Sequence, residues 1–288
     1  MTEPPRATPA LFVVATPIGN LQDITARAVE VLRSVSVIAA EDTRHSSKLL
    51  QHIGATAKLL AYHDYSSSER TEELIQRIRG GESMALISDA GTPLISDPGF
   101  ELVKLARNEG IAVIPVPGPS ALTAALSISG LPCDRFCFEG FLPAKQPARL
   151  KHLEALAEEL RTLVFYEAPH RIRAVLIDME AVFGRGRKAF IGRELTKIYE
   201  SATAGTLEQC RAWIDGDQNH QRGEFVVVVA GADKEAAGEQ RLRHALSIIP
   251  MLLEHMSPSR AAAIAAQITG ARKNSLYEAV VKADKRDP

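Results

Sequence analysis

Short apolar runs alternate with stretches of helical spacing along the first half of the chain. Ala10–Ala15 (A-L-F-V-V-A) is continuously apolar, the pattern of a strand buried on both faces. A helical pattern follows over Thr25–Leu32, with Asp23 and Thr25 as candidate caps. The spacing then predicts a strand at Val35–Ala40, a helix over Thr43–Ile53, a strand at Lys58–Tyr62 and a helix over Glu69–Ile78. Next come a strand at Met84–Ile87, a helix beginning near Phe100, a strand at Ile111–Val116 and a helix from Pro119 to Ile128. Strands and helices alternating at this length indicate βαβ units and a mainly parallel sheet.

Gly130–Asp134 (G-L-P-C-D) interrupts the pattern, and a second alternation begins. It predicts strands at Phe136–Phe141, Thr162–Tyr166, Lys188–Gly192 and Phe225–Ala230, and helices at Leu150–Leu160, His170–Phe183 and Thr206–Ile214. Ala232–Gly238, small and polar, reads as a linker, and the rest of the chain is helical in pattern. There Ser257-Pro258 opens a helix in cap-then-proline order, Gly270 stops it, and a second short helix spans Ser275–Val281. Two short helices about a glycine turn suggest a helix-turn-helix unit. The expected organisation is a disordered extension at 1–9, α/β domains at 10–131 and 132–232, and a helical domain at 239–288.

With 288 residues, 45% of them hydrophobic and 24% charged, the chain can bury two sizeable cores. Its formal net charge of −1 supplies no global field toward nucleic acid, so any RNA-binding surface must be local. The tail offers one: Arg272, Lys273, Lys282, Lys285 and Arg286 outnumber Glu278, Asp284 and Asp287. A solvated charged face on a packing module accounts for that tilt equally well. Cys133, Cys137 and Cys210 form no C-x-x-C pair, which suits a reducing compartment. Met1–Pro9 lacks the apolar stretch of a signal peptide, and no apolar run approaches the ~20 residues of a membrane span. A cytoplasmic protein is therefore expected.

No phosphate-binding G-x-x-x-x-G-K-[ST], dinucleotide-binding G-x-G-x-x-G, metal-binding H-E-x-x-H or G-x-S-x-G nucleophile elbow occurs. Instead, polar clusters follow the strands. Thr16–Asn20 follows the first, Glu41-Asp42-Thr43-Arg44 the second, and His63-Asp64 the third. Asp89–Gly99 (D-A-G-T-P-L-I-S-D-P-G) follows the fourth, and Pro117-Gly118-Pro119-Ser120-Ala121 the fifth. In a parallel sheet all five share the carboxyl edge, where ligands bind. Capping and turn chemistry would explain any one cluster; five on one edge suggest a cleft. The second half repeats the habit at Phe165-Tyr166-Glu167, which runs into Ala168-Pro169-His170-Arg171, and at Gly192–Lys197.

These stretches share their order and spacing with one family. A-T-P-I-G-N-L-x-D-I-T at 15–25, A-E-D-T-R at 40–44, S-D-A-G-T-P-L-I-S-D-P-G at 88–99 and P-G-P-S-A at 117–121 form one set. G-F-L-P at 140–143, F-Y-E-A-P-H-R at 165–171 and R-E-L-T-K at 193–197 form another. The chain resembles the tetrapyrrole-methylase-like superfamily of S-adenosyl-L-methionine-dependent methyltransferases, in its branch that methylates small-subunit ribosomal RNA. The resemblance covers residues 10–288. It implies two α/β domains with the cofactor cleft between them, a small helical C-terminal domain, a homodimer, and 2′-O-methylation of a cytidine ribose in the decoding region of 16S rRNA within the small ribosomal subunit. A relative acting on a tetrapyrrole or diphthamide precursor is the alternative.

Carried over by position, Pro17, Ser88, Asp89, Ala90, Gly91, Thr92, Ser120 and Ala121 would line the cofactor site from the first domain. Leu142, Tyr166, Glu167, Glu194, Leu195 and Phe225 would close it from the second. A proton acceptor for the ribose hydroxyl is sought among the carboxylates, with Glu194 and Asp89 first and Glu41-Asp42 behind them. Lys197 or Arg193 could hold a phosphate or orient the hydroxyl. Arg44, Arg171, Arg272 and Lys273 are the expected RNA contacts. Neither a metal nor a membrane is expected to take part.

Overall fold

The computed structural model describes residues 9–63 and 66–271 together with Leu276. The first sheet contains β1 (Ala10–Val14), β2 (Val37–Ala40), β3 (Lys58–Ala61), β4 (Met84–Ile87) and β5 (Ala112–Val116). All its pairings are parallel, in the order β3-β2-β4-β1-β5. Every residue of β2 and β4 is buried, as a continuously apolar strand requires inside a sheet covered on both faces. Pro115 falls in β5, at the sheet edge, where its missing N–H breaks no ladder.

Helices α1 (Ala26–Ser34) and α2 (Thr43–Ile53) cover one face through Ala28, Leu32, Leu49, Leu50 and Ile53. Helices α3 (Ser68–Arg79) and α4 (Phe100–Asn108) cover the other through Leu74, Ile75, Ile78, Leu102 and Ala106. The chain leaves adjacent β1 and β4 in opposite directions toward opposite faces, which opens a crevice at their carboxyl ends. Helix α5 (Ala121–Ile128) then carries the chain to the second lobe.

That lobe is built from β6 (Phe136–Phe141), α6 (Gln146–Ala155), β7 (Thr162–Glu167), α7 (Ile172–Phe183), β8 (Lys188–Arg193), β9 (Ser201–Thr206), α8 (Leu207–Gly216) and β10 (Phe225–Val229). Its sheet runs β6-β7-β10-β8-β9, and only β6–β7 is parallel. The strand–helix alternation of the second half therefore does not produce a second parallel sheet. β9 escapes the sequence pattern because S-A-T-A-G-T has no large apolar residue; it is a half-exposed edge paired to β8. α6 begins at Gln146, ahead of the expected Leu150, because Pro147 fits the first turn of a helix.

Period-two alternation divides this sheet cleanly. Leu163, Phe165, Ala189, Ile191, Phe225, Val227 and Val229 pack with Leu153, Val175, Leu176 and Cys210 from α6, α7 and α8. Their neighbours Val164, Phe190, Val226 and Val228 face the other way, onto Ala125 and Leu126 of α5. One helix of the first lobe is thus part of the second lobe's core, and this ties the lobes together.

Beyond Gly231 the chain forms α9 (Lys234–Leu253) and α10 (Pro258–Thr269). They bury Ala245, Ile249, Ala262, Ala265 and Leu276 against one another. The expected linker at 232–238 is already helical from Lys234, because K-E-A-A is a strong helix-forming run despite Gly238. Ser257 and Pro258 open α10, and Gly270 closes it at φ +70°. No described helix is long and apolar enough to cross a membrane.

Candidate active site between the lobes

Three loops of the first lobe are tied together at the carboxyl edge of its sheet. The amide of Thr16 donates to the Gly91 carbonyl at 2.9 Å, and the Gly91 amide returns a bond to the Thr16 carbonyl at 3.0 Å. Thr16 Oγ1 donates to the Ser88 carbonyl at 3.3 Å, and Thr92 Oγ1 to the Pro119 carbonyl at 3.2 Å. Asp89 Oδ1 accepts the Asp42 amide at 3.0 Å, which anchors the loop after β2 as well. Four of the five strand-end clusters are therefore one bonded unit. Asp64 of the fifth lies outside the described residues.

Against this edge the second lobe presents the ends of β6, β7 and β8 and the start of β10. Together they enclose a cleft of about 300 Å³. Ala90, Gly91, Thr92, Ser120 and Ala121 line it from the first lobe, and Tyr166, Glu167, Glu194, Leu195 and Phe225 from the second, all at positions named from the sequence. Lys197 is there too. Pro17, Ser88, Asp89 and Leu142 are not among its lining residues. Ser88 is 2% exposed, Leu142 sits in the second lobe's core, and Asp89 faces the Asp42 amide. Ile18, Ile95, Ser96, Asp97, Phe141 and Glu224, not carried individually into the site expected from the sequence, also line the cleft. Ile18, Ile95, Ser96, Asp97 and Phe141 fall inside the quoted motifs, so their loops marked them; Glu224 directly precedes β10 and belongs to none of those motifs.

Among the described non-glycine residues, left-handed backbone occurs at Leu94, Ser96, Glu194 and Thr196 only. All four lie in the two loops that face each other across the cleft. Such conformations cost about 1–3 kcal/mol each and persist where the surroundings enforce them, chiefly at functional sites. Thr196 Oγ1 is buried here with no hydrogen-bond partner among the described residues. Gly19 is required by the same approach: a Cβ there would overlap Lys197 Cγ.

Lys197 Nζ donates to Glu194 Oε1 at 2.8 Å and to Glu224 Oε2 at 3.0 Å. Glu194 Oε1 also accepts the Glu224 amide at 2.8 Å. Burial pushes the Glu194 carboxyl upward, but the bonds from Lys197 and the Glu224 amide outweigh it and hold it below its ordinary value. Burial likewise works against the Lys197 ammonium, and the two carboxylates more than restore it, so its pKa lies above the usual lysine value. Glu194 stays ionised and Lys197 charged at neutral pH. Glu167, 2% exposed, is raised by burial in spite of the Ala168 amide and Arg171.

Two arginines named from the sequence have internal work. Arg171 Nη2 donates to the Leu142 carbonyl at 2.5 Å and to Glu167 Oε2 at 3.2 Å. Arg193, 8% exposed, donates to the Arg222 and Tyr199 carbonyls at 2.7 and 2.8 Å, closing the loop that carries Glu194 and Lys197. Arg44 is exposed on α2; Arg272 and Lys273 lie outside the described residues. No cluster of three metal-ligating side chains occurs among the described residues.

The lining suits a methyl donor carried on a positively charged sulfur. With Glu167 paired to Arg171, the carboxylates of Asp97, Glu194 and Glu224 still outnumber the single lysine among the described lining residues, an excess that attracts a cation. Tyr166, Phe141, Phe225 and Ile18 supply apolar walls, and Gly91 and Gly192 leave room where side chains would intrude. About 300 Å³ lies at the lower end of small-molecule sites.

Residues 10–211 match the family model of Tetrapyrrole (Corrin/Porphyrin) Methylases, and residues 234–284 match the RsmI C-terminal HTH domain. The chain is 54% identical over 268 residues to "Ribosomal RNA small subunit methyltransferase I" of Pseudomonas aeruginosa, covering 93% of this chain and 95% of that one. It is 48% identical to the protein of the same name from Escherichia coli O157:H7, covering 93% of each. Among solved structures it resembles uroporphyrin-III-C-methyltransferase from Thermus thermophilus, with TM-score 0.55 and 21% identity over 77% of this chain and 94% of that one. Diphthine synthase superposes with TM-score 0.56 at 15% identity over 77% of this chain and 90% of that one. At those identities the likeness is one of fold.

Proposed function

Because the chain belongs to the tetrapyrrole methylase family, and within it to the ribosomal RNA small subunit methyltransferase I group, we propose that it transfers a methyl group from S-adenosyl-L-methionine to the 2′-hydroxyl of a cytidine ribose in the decoding region of 16S rRNA. The observation that carries this reading is the acidic interlobe cleft, walled by the motif loops that the chain shares with that group. The relatives with this name match nearly the whole chain, tail included, and this favours rRNA over a tetrapyrrole or diphthamide precursor.

In this reading S-adenosyl-L-methionine, when bound, supplies an electrophilic methyl group on a cationic sulfur. Ala90–Thr92 and Ser120-Ala121 would hold it from one lobe, Tyr166-Glu167, Leu195 and Phe225 from the other. Pro17, Ser88, Asp89 and Leu142, outside the lining, would support those loops. The protein's main contribution is alignment of donor and acceptor, which can remove roughly 7–11 kcal/mol of a bimolecular barrier. Glu194 and Lys197 would orient the ribose hydroxyl, whose oxygen gains the methyl carbon as that carbon's bond to sulfur breaks, while its proton passes to the Glu194 carboxylate and from there to solvent. Asp89, one of whose oxygens accepts the Asp42 amide, would anchor the loop after β2 and stands second to Glu194 as proton acceptor. The tail, with Arg272 and Lys273, and the exposed Arg44 provide phosphate contacts, and the working form is a homodimer in the cytoplasm.

Radiolabelled methyl transfer to small ribosomal subunits lacking the modification tests this. Label at one cytidine 2′-oxygen is expected. Incorporation on a corrin precursor with none on subunits would overturn it.

A further inference from the structure

β6 contains an irregularity that changes what its last residue can do. Its register with β7 runs Cys137 opposite Leu163 and Phe138 opposite Val164, then jumps, with Gly140 opposite Phe165 and Phe141 opposite Tyr166. Glu139 is the extra residue, so two residues of β6 span one step of β7, which defines a β-bulge. Bulges next to active sites re-aim side chains, and here the effect can be read residue by residue. Cys137 packs on the helix-covered core and Phe138 on the opposite face. Uninterrupted alternation would return Phe141 to the Cys137 face, where an aromatic ring could be fully buried. The bulge places it instead opposite Tyr166, on the cleft side, 54% exposed.

The chain sacrifices core burial for this placement and accepts a left-handed backbone at Gly140, φ +64°. A Cβ on Gly140 would sit 3.2 Å from Ser96 Oγ, so the bulge also abuts the first lobe's cleft loop. The Phe141 ring meets Tyr166 edge-to-face, with centroids 5.7 Å apart and planes at 65°, rather than stacked. Ile95, 37% exposed, lines the same cleft.

We infer that the Glu139–Gly140 bulge sets Phe141 at the cleft mouth as a stacking platform for a nucleobase of the RNA substrate, next to the ribose that receives the methyl group. The inference rests on the methyltransferase reading above and adds a substrate-recognition residue to it. A rigid aromatic face accepts the face of an unstacked base, the mode by which single-stranded RNA is gripped. The platform's exposure favours the RNA over the donor's adenine. Phe225, which lines the same cleft, is 2% exposed, as suits a wall around an enclosed ligand, whereas a half-exposed ring suits a macromolecule arriving from solvent.

Steady-state methylation of unmodified small subunits by wild type, Phe141→Ala, Phe141→Trp and Phe141→Leu, with calorimetry of S-adenosylhomocysteine binding to each, tests this. Phe141→Ala should raise KM for subunits about tenfold, the effect of losing one base–aromatic stack. Its product affinity should stay within about twofold of wild type on the same comparison. Phe141→Trp should restore KM, and Phe141→Leu should not. An unchanged KM in Phe141→Ala would overturn the platform, as would a parallel loss of product affinity, which would give the ring to the donor. Restoration by leucine would overturn stacking in favour of bulk. A wild-type protein that labels no ribose would instead overturn the reading on which the platform rests.

Discussion

At the scale of single residues, the proposed chemistry rests on Glu194 and Lys197, which both line the cleft. Both were legible in R-E-L-T-K, because a carboxylate and an amine beside a strand end stand out against apolar runs. Their geometry was not legible. Glu194 and Thr196 take left-handed backbone without being glycine or asparagine, and Glu224, which completes the lysine's bonds, belongs to no recognisable motif. Replacing Glu194 with Gln keeps the shape and removes the charge, and should lower kcat about 10²-fold or more in the methylation assay, the scale of a lost acid–base partner. Glu194 also links stability to pH. Its folded pKa lies below its ordinary 4.5, so the carboxylate stabilises the native state above that value and loses its contribution as pH falls through the lowered one. Urea midpoints of wild type and Glu194→Gln should differ at pH 7 and converge as pH falls below 4.5. A constant gap would contradict the Lys197 ion pair as its source.

At the scale of elements, the first sheet could be read almost strand by strand, because buried parallel strands are continuous apolar runs. Met84–Ile87 and Thr43–Ile53 have the bounds their patterns predict. The second sheet resisted for identifiable reasons. Antiparallel and parallel pairing leave the same signature in a strand covered on both faces, β9 has no large apolar side chain, and the bulge in β6 is marked only by a glycine. One support for the cleft is ionic. Arg149 and Asp178, on α6 and α7, form an ion pair at 2.7 Å with side chains 6% and 4% exposed. Arg149 Nη1 also donates to the carbonyls of Pro143 and Ala144, fixing the loop after β6. Removing one partner of a buried pair strands the other, so Asp178→Ala should cost about 3–5 kcal/mol in chemical denaturation. A loss below about 1 kcal/mol, the scale of an exposed pair, would contradict the buried role.

At the scale of the molecule, the two lobes meet edge to edge, with α5 anchoring one in the other's core, and the proposed function depends on that meeting. The sequence carried this only through the family resemblance, since no local pattern says that two sheets share a cleft. The near-neutral net charge places RNA affinity in local basic groups. Charge removal at Arg272 and Lys273 together should therefore reduce the slope of log affinity against log salt by about 1.5, the release expected from two phosphate contacts. An unchanged slope in a filter-binding series would move the RNA contacts elsewhere. The most direct measurement of the whole account is isothermal titration of S-adenosylhomocysteine into the intact protein at two temperatures, so that a vanishing enthalpy at one cannot hide binding. One molecule bound per chain is the expected result. No heat at either temperature would contradict a methyl-donor site between the lobes.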